Sequence, residues 1–506
     1  MAGAEVLAPD SKPTIAAADA QSCKACDAMG RRGYRLRYHW PVMTTATPLS
    51  IVILAAGAGK RMRSALPKVL QPLAGVTLLA HVIGCARKLH PSAIHVVYGH
   101  GGEVVRRRFA GHDRLHWAEQ AQQLGTGHAV LQAMPAIPPE HLVLVLCGDV
   151  PLLTAETLAP LITVADRGVA VLTVQLEDAT GYGRIVRDAA GQVQRIVEER
   201  DADEPTRALR EINTGVIAAP AARLRAWLER LGNDNAQGEY YLTDIVAMAV
   251  AEGVPVAGVR AGDADEVAGI NTRAQLVAAE SALRRRRAAA LIEQGAMLAD
   301  PARIDIRGEV HVDQDVFIDS NVVLEGTVRL GANVCIGANV VLRNVEVGEG
   351  SVVHPFSLLE DCRVGAHCDL GPYARIRPGT ELAARVKIGN FVEVKNAQMA
   401  EDSKANHLSY IGDADVGIGV NIGAGTITCN YDGANKHRTV IEAGAFIGSG
   451  VELVAPVRIG AGATIGAGST ISKDAPAGQL TLARARQTSL ASWRRPRKTP
   501  RPAQDD

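Results

Sequence analysis

Three groups of residues in this chain have types and spacings that can do chemistry. The first is Leu54-Ala55-Ala56-Gly57-Ala58-Gly59-Lys60-Arg61-Met62, with Pro67-Lys68 close behind. Glycines directly after an apolar run let backbone N–H groups approach a phosphate, and a following helix start adds positive potential. The spacing does not suit a P-loop, and Met62 stands where a dinucleotide fingerprint needs its third glycine. Lys68 offers a compact charge for a phosphate, although a lone lysine more often faces solvent. The second group is Cys147-Gly148-Asp149, after the run Leu142 to Leu146. A carboxylate at the carboxyl end of a parallel strand lies in the ligand crevice of an open α/β sheet. Mg²⁺ prefers such hard oxygen ligands and commonly takes one or two from protein; the alternative is an ordinary turn or capping aspartate. The third group centres on His407, in Asn406-His407-Leu408-Ser409-Tyr410, followed by the polar stretch Asn421 to Gly433. Acyl transfer to an amine needs a base, because only the neutral amine attacks a thioester, and an imidazole suits that task near neutral pH. Arg377 and Lys395 are cations of the kind that bind a phosphate; singly, each also reads as solvated charge.

The elements that must position these groups fall into distinct parts. Residues 49–271 alternate short apolar runs with helix-like segments: Ser50 to Leu54, Ala93 to Tyr98, Leu142 to Leu146 and Val169 to Val174 read as buried parallel strands. The pattern predicts an α/β, doubly wound, Rossmann-like domain. Residues 272–300 read as a linker helix, with Arg284 to Arg287 forming a solvated face. Residues 301–480 differ in kind: 24 glycines lie between Gly308 and Gly478. An aliphatic residue recurs every six positions from Ile304 to Val394, only Glu346 breaking the count, and after an interruption the count resumes one residue out of phase from Ile441 to Ile471. A period of six fits neither helix nor plain strand. It fits a β-helix of hexapeptide repeats, three short faces to a coil, with the aliphatics as core. The break in register, roughly 396–440, is where polar functional groups are expected to collect.

Composition narrows the classes. The chain has 506 residues, 47% hydrophobic and 21% charged, and 54 Lys+Arg balance 54 Asp+Glu. That describes globular domains and gives no electrostatic case for nucleic acid or an anionic membrane. No run of 18 or more apolar residues occurs, so no membrane span is expected, and the charges at Glu5, Asp10, Lys12 and Asp19 without an apolar core predict no secretory signal in the first twenty residues. Eight scattered cysteines suit reduced thiols in the cytoplasm. The pair Cys23 and Cys26 lacks a second half for a zinc site. Residues 1–48 are expected to form a disordered extension, or translation starts at Met43. His354, His367 and His407 are too spread for a metal-bound β-helix enzyme.

The glycine loop with Pro67-Lys68 resembles the signature of sugar-phosphate nucleotidylyltransferases. With Gln123-Leu124-Gly125-Thr126-Gly127-His128, Gly181-Tyr182-Gly183-Arg184, Glu211 to Gly215 and Asn235 to Tyr241, the chain resembles one bacterial family. These are the bifunctional N-acetylglucosamine-1-phosphate uridylyltransferases/glucosamine-1-phosphate acetyltransferases, and the likeness runs from about residue 49 to 496. The resemblance implies a left-handed β-helix, a homotrimer with acetyl-transfer sites shared between subunits, Mg²⁺, and acetyl-coenzyme A as co-substrate. It implies that Leu54, Ala55, Ala56 and Gly57 hold uridine and phosphate, with Arg61 and Lys68 as phosphate cations. Gln120, Gly125 and Thr126 would recognise uracil; Gly183, Glu198 and Asn213 would hold N-acetylglucosamine; Asp149 and Asn271 would ligate Mg²⁺. In the β-helix, His407 matches the general base. Arg377, Lys395, Tyr410, Asn421 and Lys436 match glucosamine-1-phosphate ligands, and Ala424, Asn430, Tyr431, Ser449, Ala467 and Arg484 match acetyl-coenzyme A ligands. The basic end, Trp493 to Lys498 within a tail 481–506, resembles an arm that reaches a neighbouring subunit. Cys147 stands where the family often has Tyr, and Asn406 where many members have Gly. A single-activity nucleotidylyltransferase with a regulatory β-helix is the alternative reading.

Overall fold

The computed structural model describes residues 47–497 except 58, 100, 101 and 113, and the backbone alone of Lys60. The expectations for Cys23, Cys26 and Met43 lie outside these residues. Seven strands form the main path of the first sheet: β1 Leu49–Leu54, β2 Ala93–Gly99, β3 Leu115–Gln120, β4 Leu142–Cys147, β5 Val169–Gln175, β6 Glu211–Pro220 and β7 Val256–Arg260. Their order is β7-β5-β6-β4-β1-β2-β3. β1 pairs in parallel with both β2 and β4, whereas β6 runs antiparallel to β4 and β5. Alternate residues of each strand enter two apolar clusters, Ile51 and Leu144 on one face and Val52 and Val145 on the other. Burial on both faces explains the unbroken apolar runs. β1 lies at the strand-order reversal, so the carboxyl ends of β1 and β4 open into the crevice that such sheets offer a ligand.

Inside this sheet His95 is 2% exposed, its ring stacked on His116 with centroids 5.1 Å apart. Its Nε2 has no partner among the described residues. Burial, then the nearby His116 and His141, push its pKa down to about 4. The unfolded chain, with an ordinary value near 6.5, therefore takes up the proton first, and stability falls as pH drops from about 6.5 towards 4. Urea unfolding across that window is expected to show this loss, and His95→Phe to flatten it.

Helix α1, Arg273–Glu293, begins at a capping box on Thr272 and Gln275. Arg285 is exposed as expected, but Arg286 and Arg287 are not part of a solvated face. Arg286 donates to the Leu152 carbonyl at 2.7 Å, Arg287 to the Ile306 carbonyl, and Arg285 pairs with Asp265 at 2.8 Å. The helix is thus pinned to the α/β sheet's loops on one side and to the first β-helix strand on the other.

From Met297 onwards the pairings between strands are parallel and rise coil by coil, the isolated Tyr431–Lys436 bridge of a loop apart, and one face forms an 11-stranded sheet from Met297–Leu298 to Leu480–Thr481. Each edge sends in two residues, i and i+2, as in Val322 with Leu324 and Val334 with Ile336, all fully buried. The even count of six conceals shorter edges. Between Val340 and Val345, and between Ser357 and Cys362, successive inward positions are five apart, so neighbouring coils pair 17 residues apart, as Val341 does with Leu358. Val352 and Leu358, expected inside, are therefore only half-buried, and Val353 and Leu359 point inward. Two shortened edges move the count from the first inward residue of each pair to the second, which is why it regains aliphatics at Val364. A short edge recurs between Val392 and Ala397 and between Ser409 and Ala414, and a loop of extra residues, 430–438, leaves the helix before Thr439–Ile441. These account for the polar break in register.

Candidate functional sites

The α/β crevice is built by backbone that only small residues allow. Gly148 N bonds the Leu54 carbonyl at 2.9 Å, tying the loop after β4 to the end of β1. Gly125, which caps the helix Thr126–Ala133, has φ +114°, and a Cβ there would stand 2.6 Å from the Tyr240 carbonyl oxygen. Gln120 is buried and donates to the Gly125 carbonyl at 3.0 Å. The cleft between these pieces is lined by Leu54, Ala55, Ala56, Gly57, Lys68, Gln120, Gly125, Thr126 and Asp149, together with Gln123 and Glu239. Gln123, which donates to the Ala56 carbonyl, and Glu239 were not singled out from sequence, although both lie in the quoted motifs.

Lys68 Nζ lies 2.5 Å from Asp149 Oδ2 and 2.9 Å from Asn271 Oδ1. One cationic atom thus sits between a carboxylate and an amide oxygen from residues 122 apart in sequence. Two hard oxygens converging on one positive charge are a donor set that fits Mg²⁺. Gly183, Glu198 and Asn213 form a second group. Asn213 N bonds the Gly183 carbonyl at 2.8 Å, and a Cβ on Gly183 would meet both Glu198 oxygens at 3.3 Å. Burial raises the Glu198 carboxyl above its ordinary range, opposed by the Thr243 hydroxyl, which donates to it at 3.0 Å. Cys147 lies between the two groups, its thiol 3.7 Å from the Gly215 carbonyl. Burial and the Asp149 charge push that thiol up to about 12, so it stays protonated and unreactive. Arg61 is exposed on the turn Lys60–Met62.

His407 is exposed at a corner of the β-helix, 2.8 Å from Asn390 Oδ1 through its Nδ1. An amide oxygen only accepts, so this contact places the ring proton on Nδ1 and leaves Nε2 with a free lone pair. Asn390 is paired with His407 one coil away, and sequence reading missed it. The same corner continues downwards. Gly425 N bonds the His407 carbonyl, Gly450 N the Ala424 carbonyl at 2.7 Å, and Gly468 N the Ser449 carbonyl at 2.9 Å. Arg484 Nη1 then donates to the Ala467 carbonyl at 2.7 Å. Ala424, Ser449, Ala467 and Arg484 therefore form one column below His407.

The cations gather elsewhere on the coil. The Lys436 ammonium, then burial and Arg377, hold the Lys395 amine below its ordinary pKa, which brings three positive groups to one spot. Arg377 is itself paired with Glu393 at 2.7 Å. The Tyr410 hydroxyl is 3.4 Å from Asn430 Nδ2, and Asn430 is held by Asp413. Asn430 and the exposed Tyr431 belong to the extra loop, and Asn421 pairs with Lys404 in the strand that ends at His407, a different face from the one that carries Tyr410. One chain thus does not unite all the expected acetyl-transfer residues. A larger concavity, about 1060 Å³, runs along another face past Arg329, Glu346, Arg363 and Glu381, whose charges alternate coil by coil; no expected site residue lines it.

A glycine-loop nucleotide crevice joined to a hexapeptide β-helix with an exposed histidine defines a nucleotidyltransferase fused to an acyltransferase. Comparison with known proteins agrees. Residues 51–295 match the MobA-like NTP transferase domain, 306–400 the GMPPB C-terminal domain, and 438–473 the bacterial transferase hexapeptide (six repeats). The chain is 60% identical over 449 residues to the bifunctional protein GlmU of Azoarcus sp. (strain BH72), covering 88% of this chain and 99% of that one. It is 57% identical over 452 residues to the GlmU of Nitrosomonas europaea, with 89% and 99% covered. For the GlmU of Bordetella parapertussis the values are 56% over 452 residues, with 88% and 99% covered. The chain belongs to the family of bifunctional GlmU proteins. It is a glucosamine-1-phosphate acetyltransferase that uses acetyl-coenzyme A and an N-acetylglucosamine-1-phosphate uridylyltransferase, which sets the single-activity alternative aside.

Proposed function

We propose a division of labour: the α/β crevice carries uridylyl transfer and the His407 corner carries acetyl transfer. The convergence of Lys68, Asp149 and Asn271 carries the first half of this reading. UTP would lie with uracil against Gln120, Gly125 and Thr126 and its phosphates on Ala55 to Gly57, Arg61 and Lys68. N-acetylglucosamine-1-phosphate would rest on Gly183, Glu198 and Asn213. An oxygen of the sugar phosphate bonds to the α-phosphorus of UTP, the bond from that phosphorus to the bridging oxygen breaks, and pyrophosphate leaves. No side chain acts as nucleophile; Arg61 and Lys68 position the triphosphate and neutralise its charge. Asp149 and Asn271 would hold Mg²⁺, which when bound supplies further charge neutralisation at the phosphates.

In the β-helix, His407 Nε2 accepts the proton that the glucosamine-1-phosphate amine loses as its nitrogen bonds to the thioester carbonyl carbon, and the coenzyme A thiolate leaves. Asn390 holds the ring in the tautomer this needs. Arg377, Lys395 and Lys436 supply the charge to hold the sugar's phosphate, and the Ala424 column offers carbonyl-lined backbone for coenzyme A. The N-acetylated product is then the substrate of the crevice. The assay that tests the division supplies glucosamine-1-phosphate, acetyl-coenzyme A and UTP, and omits each in turn. Omitting UTP leaves N-acetylation running; omitting acetyl-coenzyme A leaves the uridylylation of added N-acetylglucosamine-1-phosphate running. Dependence of both reactions on all three compounds contradicts it.

We also infer a homotrimer working in the cytoplasm. Among the described residues no helix is long and apolar enough to cross a membrane, and six cysteines are free thiols. Phe356, Tyr373 and Phe391 stack at the His407 corner, centroids 5.1 Å apart, and stand 51%, 46% and 56% exposed. With Leu408 they adopt φ of 49–63°, a conformation bulky residues rarely take. An exposed apolar ladder in such a backbone suits a partner surface, and the dispersed acetyl-transfer residues suit a site completed by that partner. Phe391→Asp is expected to reduce a species of three chains to one chain in analytical ultracentrifugation and to abolish acetyl transfer, while uridylyl transfer persists. A trimer of full acetyl-transfer activity contradicts this.

A further inference from the structure

We propose that Gln71, backed by Arg273, is a positioning residue for uridylyl transfer: it fixes the turn that carries Arg61 relative to Lys68. This rests on the assignment of Arg61 and Lys68 as the triphosphate cations.

Gln71 is 2% exposed and follows the turn Lys68–Leu70, where its N–H bonds the Lys68 carbonyl at 3.0 Å. Its Nε2 donates to Ser64 Oγ at 3.1 Å and to the Leu66 carbonyl at 3.0 Å. Its Oε1 accepts from Arg273 Nη1 at 3.0 Å, and Arg273 Nε reaches the Met62 carbonyl at 3.3 Å. Among the described residues, segment 61–66 makes hydrogen bonds to the rest of the chain only through Gly59, Gln71 and Arg273. The segment needs such a frame. Arg63 has φ 48°, and Ser64 to Leu66 are exposed, so little packing holds it. Arg61 makes no ion pair among the described residues, so its place is set by backbone alone. Met62, 1% exposed, anchors the near end against Leu73, Leu283 and Ile270. Arg273 opens α1 two residues after Asn271. One hydrogen-bonded unit therefore spans both phosphate cations and the helix start that presents the amide oxygen beside Lys68. A buried carboxamide whose amide N–H groups both go to one exposed loop, and whose oxygen is held by Arg273, costs more to desolvate than an apolar residue would, and gains order in that loop.

The test is a double-mutant cycle on full-length enzyme. Gln71→Met keeps the volume and removes the bonds. Uridylyl transfer is expected to lose about tenfold in kcat/KM. The loss falls on kcat and on the KM for UTP, the KM for N-acetylglucosamine-1-phosphate staying within twofold. Placed on Arg61→Ala, the same change is expected to cost less than twofold, because the residue it positions is gone. Arg273→Ala, at an exposed side chain, should repeat the pattern and serves if Gln71→Met fails to fold; acetyl transfer by each variant reports the integrity of the rest of the chain. Losses that multiply with Arg61→Ala, or a Gln71→Met enzyme within twofold of the parent, overturn the proposal while leaving Arg61 as a phosphate ligand. An Arg61→Ala enzyme of full activity overturns the assignment of Arg61 and this proposal with it.

Discussion

Replacing His407 with alanine is expected to lower acetyl transfer by about 10²–10⁴-fold, the usual worth of a positioned general base, and to leave uridylyl transfer within twofold. The glucosamine nitrogen must shed a proton as it bonds to the thioester carbonyl carbon, and Nε2 of His407 is the acceptor that the Asn390 contact leaves open. His407 is exposed at a β-helix corner and pairs by strand register only with its own coil neighbours, so the change removes no core packing. Separate assays on purified enzyme, thiol release for acetylation and pyrophosphate release for uridylylation, read the two outcomes directly. Equal loss of both would mean that the corner is structural.

Asp149→Ala is expected to do the reverse. Uridylyl transfer falls by about 10²–10³-fold, comparable to losing a group that stabilises charge in the transition state. Acetylation is unchanged, because the β-helix stands on its own continuous apolar core from Ile304 to Ala475. Removing Asp149 also strips Lys68 of its closest anionic partner and leaves only the Asn271 amide to hold it. The variant should therefore lose cation affinity as well as rate, measurable as weaker Mn²⁺ binding by electron paramagnetic resonance. Full Mn²⁺ affinity in Asp149→Ala would move the metal elsewhere.

The β-helix was legible because its core repeats: a chain that must return an aliphatic residue to one narrow axis writes that period into the sequence. What the period could not show was edge length. Five-residue edges at Val340–Val345 and Ser357–Cys362 shift the inward positions yet leave aliphatics on the sixfold count, so Val352 and Leu358 looked like core. The crevice was legible wherever chemistry demands a rare residue, as at Gly57, Asp149 and Gly125. It was not legible where the work is done by an ordinary amide. Asn390 orients His407 from one coil away, a spacing of 17 residues that only the true coil length reveals. Gln71 and Arg273 are joined across 202 residues, and nothing local marks either. Likewise Arg286 and Arg287 read as solvated charge, because a guanidinium that donates to a backbone carbonyl of another element leaves no trace in its own neighbourhood.

Mixing the two inactive enzymes puts the central claim, two independent sites linked by a diffusing intermediate, to the most direct test. Asp149→Ala and His407→Ala, each alone with glucosamine-1-phosphate, acetyl-coenzyme A and UTP, should make almost no UDP-N-acetylglucosamine. Combined, they should restore its production after a lag in which N-acetylglucosamine-1-phosphate accumulates. A mixture as inactive as its components, from folded proteins, would show that the two chemistries are not separable in this chain.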